Sequence, residues 1–124
     1  MSLVEDTADY IAAELAGWVV DTNLFMSDEP ADSPDMCTVV RTSPGSRDSE
    51  SGLKGRSIQV IVKNTAPVTC EEDAEDIYEL LANKPGFGGI ADVFYCEAIN
   101  APYPLGQDER GRWIFVFTLL FRKL

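Results

Sequence analysis

Residues 112–122, RWIFVFTLLFR, decide the fold. This is the most apolar segment of the chain, and its aromatic and β-branched residues favour a pleated strand. Successive strand side chains point to opposite faces. Trp113, Phe115, Phe117, Leu119 and Phe121 therefore share one face, while Ile114, Val116 and Leu120 share the other with Thr118. Two short helices can cover one face of a small sheet but not both. At ~25 cal/mol per Å2, leaving several large side chains in water forfeits several kcal/mol. Either the sheet twists enough to close over its own core, or a neighbouring subunit covers the second face, since an exposed patch of that kind marks an interface. The expectation of self-assembly leans on the second alternative.

Outward from this strand, residues 100–111 (NAPYPLGQDERG) read as a long loop, with Pro102, Pro104, Gly106 and Gly111 as breakers. Residues 91–99 (ADVFYCEAI) are another strand candidate. The glycine-rich residues 87–89 form a turn after a helix predicted over 69–83. That helix has Ala74, Ile77, Tyr78 and Leu81 on its apolar face. Thr69 and Glu72 have capping-box spacing, and Glu71, Glu72 and Asp73 crowd the predicted first turn. Residues 56–64 (RSIQVIVKN) alternate cleanly, with Ile58, Val60 and Val62 on one face and Gln59, Ile61 and Lys63 on the other. Residues 36–42 (MCTVVRT) make a second strand, joined to the first by a polar, glycine-rich arm over 43–55. Residues 27–35 are a loop rich in Asp, Ser and Pro, and 23–26 are a short strand. A first helix spans 3–16 on the stripe Val4, Ala8, Ile11 and Leu15, with Ser2 and Glu5 at capping-box spacing and Gly17 as its stop.

The order α-β-β-β-α-β-β predicts an α+β domain, a mostly antiparallel four- or five-stranded sheet with two helices packed on one face. A chain of 124 residues, 45% hydrophobic, supports one core, so residues 1–124 are read as a single domain.

The formal net charge is −11, and it is unevenly spread. Residues 1–40 hold nine acids and no Lys or Arg; the remaining 84 hold twelve acids and ten bases. Such a chain repels phosphate backbones, so direct nucleic-acid binding is not expected. No apolar run approaches the ~20 residues of a spanning helix, so no membrane partner is expected either. The acidic region either keeps the chain soluble or meets a basic face on a neighbouring subunit.

Little here suggests catalysis. The chain has no histidine, the commonest general base and metal ligand, and no GxSxG or SxxK string. Cys37, Cys70 and Cys96 are odd in number and widely spaced, with reduced thiols the default. Cys96 is expected in the core, and Cys70, opening a helix, is a candidate for exposure. Gly86-Phe87-Gly88-Gly89 follows a helix and precedes a strand, the wrong context for a phosphate loop. The acids from Glu71 to Glu79 point in different directions along a helix and do not converge on one ion. Asp28, Glu29, Asp32 and Asp35 are a better chance for a loop cation, but their spacing matches no EF-hand. No catalytic residue, metal ligand or cofactor is assigned.

The two long loops are the best functional candidates. Arg41, Arg47, Lys54 and Arg56 lie on or beside the first; Arg110 and Arg112 end the second. Basic loops and an acidic N-terminal region give two poles, and head-to-tail contact between copies closes a ring when the rotation permits. These six residues, with Phe115 and Phe117 of the last strand, form the candidate subunit interface.

Several strings also resemble a known family. Residues 34–45 (PDMCTVVRTSPG) are similar to the "PD…(aliphatic)…T…PG" segment of bacteriophage minor capsid proteins, a tail-terminator-like family. Residues 57–63 (SIQVIVK) resemble that family's "(S)(V/I)Q(V/I)" strand, followed by a helix ending in a leucine pair, here IYELL at 77–81. Residues 102–112 (PYPLGQDERGR) resemble its "P…LGRDE.GR" loop before an aromatic C-terminal strand. The order holds across nearly the whole chain; the acidic N-terminus departs from the pattern. The resemblance implies a structural virion protein that forms a ring, a hexamer by analogy, with no catalysis and no cofactor. It implies placement at the head-proximal end of the tail after assembly in the host cytoplasm. The implied partners are further copies, the tail-tube protein and head–tail connector proteins. The competing reading is a small cytoplasmic binding or adaptor domain, holding a divalent cation in the loop over 28–35. A third, an enzyme using carboxylates alone, requires a deep pocket lined by acids.

Overall fold

The computed structural model describes residues 3–43, 54–82 and 93–123. The elements are α1 (Leu3–Glu14), β1 (Leu24–Met26), β2 (Cys37–Ser43), β3 (Lys54–Asn64), α2 (Pro67–Leu81), β4 (Val93–Ala98), β5 (Tyr103–Gln107) and β6 (Trp113–Lys123). The strands form one six-stranded sheet in the order β1-β2-β3-β6-β4, with β5 also paired to β6. It is mixed: β1 runs parallel to β2, and every other pairing is antiparallel. The α+β class therefore holds, with one strand more than expected and one parallel pair.

The extra strand is β5, inside the predicted loop over 100–111. Pro104 and Gly106 within it, and Pro102 just before it, argued against a strand, but β5 pairs only with β6, and an edge strand tolerates Pro. Its register shifts between Pro104 and Gly106, where Gly106 adopts φ +95, a bulge that accommodates the awkward residues. β4 and β5 flank the same edge of β6, and Asn100 stitches the break between them. Its Oδ1 accepts from the Thr118 N–H at 3.3 Å, and the Ile99 N–H donates to the Thr118 carbonyl at 2.9 Å.

The parallel pair follows from its connection. β1 and β2 are joined by ten residues, 27–36, which cross over instead of turning back. The chain leaves the sheet through Ser27, at φ +70, whose N–H donates to the Val40 carbonyl at 2.8 Å.

Both helices pack on one face, as predicted. Val4, Ala8 and Ile11 of α1 and Cys70, Ala74, Ile77 and Leu81 of α2 share a core with Val40, Val60, Val62, Phe115, Phe117, Leu119 and Phe121. The Tyr78 ring meets Phe117 edge to face at 5.5 Å. Helix α2 begins two residues before the predicted start: Ala66 is its N-cap without a side-chain cap, and Pro67 supplies the first helical φ. Thr69 is thus inside the helix, and the acids fall beyond its first turn. Cys70 is fully buried rather than exposed. Its thiol donates to the Val62 carbonyl at 3.3 Å and reaches the Trp113 carbonyl at 3.4 Å.

The second face of β6 settles the choice between curled sheet and covering subunit. Val116 is 1% exposed and Leu120 8% in the single chain, and Phe115 and Phe117 on the helix side are 8% and 0%. A row Phe25–Val39–Ile61–Val116 runs across four strands on that outer face, and Phe25, Cys37 and Val39 form a second small core. The chain shelters these side chains by itself, so apolar exposure of β6 is no argument for a partner. The glycine turn over 86–89, the body of the arm over 43–55 and the predicted helix stop at Asn83 lie outside the described residues.

Candidate functional site

The outer face carries the densest polar arrangement of the described chain. It is built where the β5–β6 hairpin, the end of β3 and the 27–36 crossover meet. Between β5 and β6 the chain turns through residues 108–111, with Gly111 at φ +77 and its N–H donating to the Asp108 carbonyl at 3.0 Å. The Asp108 Oδ1 accepts from the Arg110 and Arg112 N–H groups, each at 3.0 Å, an Asx arrangement that fixes the turn.

Arg112, next on the chain, is 3% exposed. Its Nε and Nη2 both reach Asp108 Oδ2 at 2.8 Å, and Nη2 donates to Glu29 Oε2 at 2.7 Å. Its Nη1 donates to Ser33 Oγ and to the Pro34 carbonyl, both at 3.0 Å, with the Cys37 sulfur at 3.5 Å. Lys63 Nζ donates to Glu29 Oε1 at 2.6 Å and lies 3.8 Å from Asp108 Oδ2. Arg110 closes the arrangement, with Nη2 on Asp35 Oδ1 at 3.2 Å and Nη1 on Ser33 Oγ at 3.3 Å. A charge this deeply buried is stable only when paired and hydrogen-bonded, and Arg112 is both. Together these contacts latch the crossover onto the sheet.

The titration of the latch follows from its geometry. Burial works against the Glu29 anion, but hydrogen bonds from Lys63, Ser33 and Arg112 outweigh it and hold the carboxyl at about 2. Burial is likewise outweighed at Asp108, which the Arg112 backbone and side chain lower. Desolvation alone would lower the Arg112 pKa; Glu29 and Asp108 raise it instead.

Of the residues expected at a subunit interface, Arg112, Phe115 and Phe117 are enclosed within the chain and have almost no surface to offer a neighbour. Arg110 is 39% exposed at its side chain and already pairs with Asp35. Arg41 is exposed on the outer face, its Nε donating to Gln59 Oε1 at 2.8 Å, and Arg56 is exposed nearer the other end of the sheet. Arg47 and the Lys54 side chain lie outside the described residues. Two poles exist, but part of their attraction is satisfied inside one chain, through Glu29 and Asp35 against Lys63, Arg110 and Arg112. The same pairings engage two of the four carboxylates offered to a loop cation. Among the described residues no group of three or more His, Cys, Asp or Glu side chains is placed to hold a metal ion.

The second feature is the helix layer. α1 and α2 together hold ten of the 21 acidic residues and none of the ten basic ones. The rest of the chain, with eleven acids and ten bases, is nearly balanced, so the excess of acids over bases belongs almost wholly to the two helices. The crowding is felt at Asp73, whose carboxyl burial pushes up against an opposing hydrogen bond from Asn64, with Asp76 and Glu72 adding to the rise. A groove of about 430 Å3, lined by Tyr10, Leu15, Asp76, Glu79 and Leu80, runs between the helices. A second, of about 370 Å3 and sharing Asp76, continues along α2 past Val68, Glu71, Glu72 and Glu75. Both are open surface depressions, not the deep acid-lined pocket an enzyme reading requires.

Sequence reasoning singled out Arg112 and Arg110 but missed Glu29, Lys63, Ser33 and Asp108 as their partners. Glu29 is 83 residues from Arg112, and nothing in local spacing signals that contact. The Asp108–Arg112 half was accessible, since Asp before Gly in a short connection marks a turn. A family model for bacteriophage tail terminator proteins matches residues 9–123. No curated protein matches the chain significantly.

Proposed function

This chain belongs to the bacteriophage tail terminator family, and from that premise we propose that its copies close into a ring at the head-proximal end of a phage tail tube. The ring, six-fold by analogy, caps the completed tube and presents a surface to head–tail connector proteins. The family is structural rather than enzymatic, and no helix of the described chain is long and apolar enough to cross a membrane.

The observation that carries the reading is the family match over residues 9–123, which takes in the whole sheet, α2 and the second half of α1. The electrostatic layout supports it, because a chain with its excess of acids concentrated on its two helices favours contacts between unlike faces, the arrangement that generates rings. Nothing favours the cation-binding adaptor, since Glu29 and Asp35 of that loop already face internal cations.

The test is sedimentation velocity and native mass measurement of the full chain, alone and with purified tail tubes, with electron microscopy of the tubes. The expected result is a discrete ring, in solution or on one end of each tube, and failure of tubes lacking the protein to join heads. A monomer in every condition, with bare tube ends and normal joining, refutes it.

A further inference from the structure

We propose that the acidic groove between α1 and α2 docks the Arg41-centred strip on the outer sheet face of a second copy, an inference that rests on the ring reading and names the two faces that meet. The groove has the make-up of an interface: apolar contact from Tyr10, Leu15 and Leu80, with Asp76 and Glu79 beside it. Neither helix contributes a cation to offset those carboxylates. The charge that fits this surface is positive and is carried on the opposite side of the same sheet.

On that side the register places Arg41, Gln59 and Thr118 in one row across β2, β3 and β6. Arg41 is exposed, its side chain donates to Gln59, and no carboxylate among the described residues pairs with it. The next row toward the end of β6 is Ser43, Ser57, Leu120 and Glu97, and Arg122 follows on the same face. Glu97, exposed at the edge, is the single acid on the face among the described residues of these rows. The other outward cations differ: Lys63, Arg110 and Arg112 are tied to Glu29, Asp35 and Asp108. Among the described residues Arg41 thus offers an external carboxylate a cation at the centre of the sheet's outer side.

Complementary charge identifies the occupant as another copy. A groove and a strip on opposite sides of one sheet cannot meet within a chain, and pairing them between chains leaves one of each free. That is a heterologous contact, which propagates until it closes. The surface is polar and exposed, so the contact is salt-sensitive.

Two reversals of the full-length chain test this: Asp76→Lys with Glu79→Lys in the groove, and Arg41→Glu on the strip. All are exposed positions, and a thermal melt confirms that each variant is folded. In sedimentation velocity at low salt, each variant alone is expected to self-associate at least about tenfold more weakly than the wild type. Mixed in equal amounts, they regain association to within about twofold, because the reversed groove then meets the reversed strip and the two native faces meet each other. A wild-type oligomer unchanged by either reversal, or variants that do not recover on mixing, overturns the pairing of faces and leaves the ring reading standing. A wild-type chain monomeric both alone and on tail tubes removes both.

Discussion

Replacing Arg112 by Met tests the latch directly. Met has a comparable unbranched stem but no charge and no donors. The change removes the contacts to Asp108, Glu29, Ser33 and the Pro34 carbonyl and leaves Glu29 with Lys63 and Ser33. Breaking a buried charge pair by removing one partner costs about 3–5 kcal/mol. Here Glu29 and Asp108 keep some access to water, at 17% and 16% side-chain exposure, which lowers the figure to roughly 2–4 kcal/mol. For a domain of this size, each kcal/mol moves Tm by about 3–5 °C, so the melt should fall by roughly 6–20 °C. The assay is thermal and urea unfolding at neutral pH, together with Arg112→Lys. Lysine keeps the charge but lacks the planar fork and should fall between the two. A double-mutant cycle with Glu29→Gln should show a coupling of about 1–3 kcal/mol. An Arg112→Met chain melting within ~2 °C of the wild type, or a cycle with no coupling, would refute the claim that the latch holds the crossover.

Acid provides an independent probe of the same network. The Glu29 carboxyl is depressed from 4.5 to about 2, so its stabilisation is fully present above its unfolded value and is lost as pH falls from 4.5 through 2. Asp108 acts in the same direction, so urea midpoints should drop across that window, and less steeply in Lys63→Met, where Glu29 loses its 2.6 Å hydrogen bond from the ammonium. The three thiols give another test: burial pushes Cys70 up to about 11 and Cys96 to about 12 and raises Cys37 as well. Native protein should leave all three unmodified by an aromatic disulfide reagent at pH 8, with three equivalents reacting in denaturant; a fast native equivalent would contradict their burial. Gly111→Ala forces a Cβ into φ +77 and should cost about 1–2 kcal/mol in urea unfolding, and no change would mean the turn relaxes freely.

The sheet was legible where neighbours in sequence are neighbours in space. The alternation in 56–64 and 112–122 places Val60 and Phe117 on the helix face, where the register confirms them side by side. The stripes Val4–Ala8–Ile11 and Ala74–Ile77–Leu81 likewise mark the faces that α1 and α2 bury. What was missed depends on tertiary context. β5 contradicts its own residues and exists because β6 offers an edge to pair with. The parallel direction of β1 depends on a crossover whose anchor, Arg112, comes 83 residues after Glu29.

That crossover also shows a kind of cover that the sequence reading did not count. A strand apolar on both sides does need two covers. The expectation weighed helices, a curling sheet and a neighbouring subunit as covers, but not a loop, because helices declare themselves by periodicity and an Asp-, Ser- and Pro-rich loop does not. Yet such a loop can lie on a sheet if its polar groups find partners there, and Glu29, Ser33 and Asp35 find Lys63, Arg110 and Arg112. Two of the six bases that the sequence offered to a neighbouring subunit, Arg110 and Arg112, are engaged in making this cover. Among the described residues the helices present acids without a base, and Arg41 lies exposed on the outer sheet face, so the case for assembly moves from hydrophobic exposure to electrostatic asymmetry. An association of that kind weakens with salt and strengthens with local concentration. On the proposed ring reading, copies gathered on the end of a tail tube meet the second condition better than dilute copies in solution do.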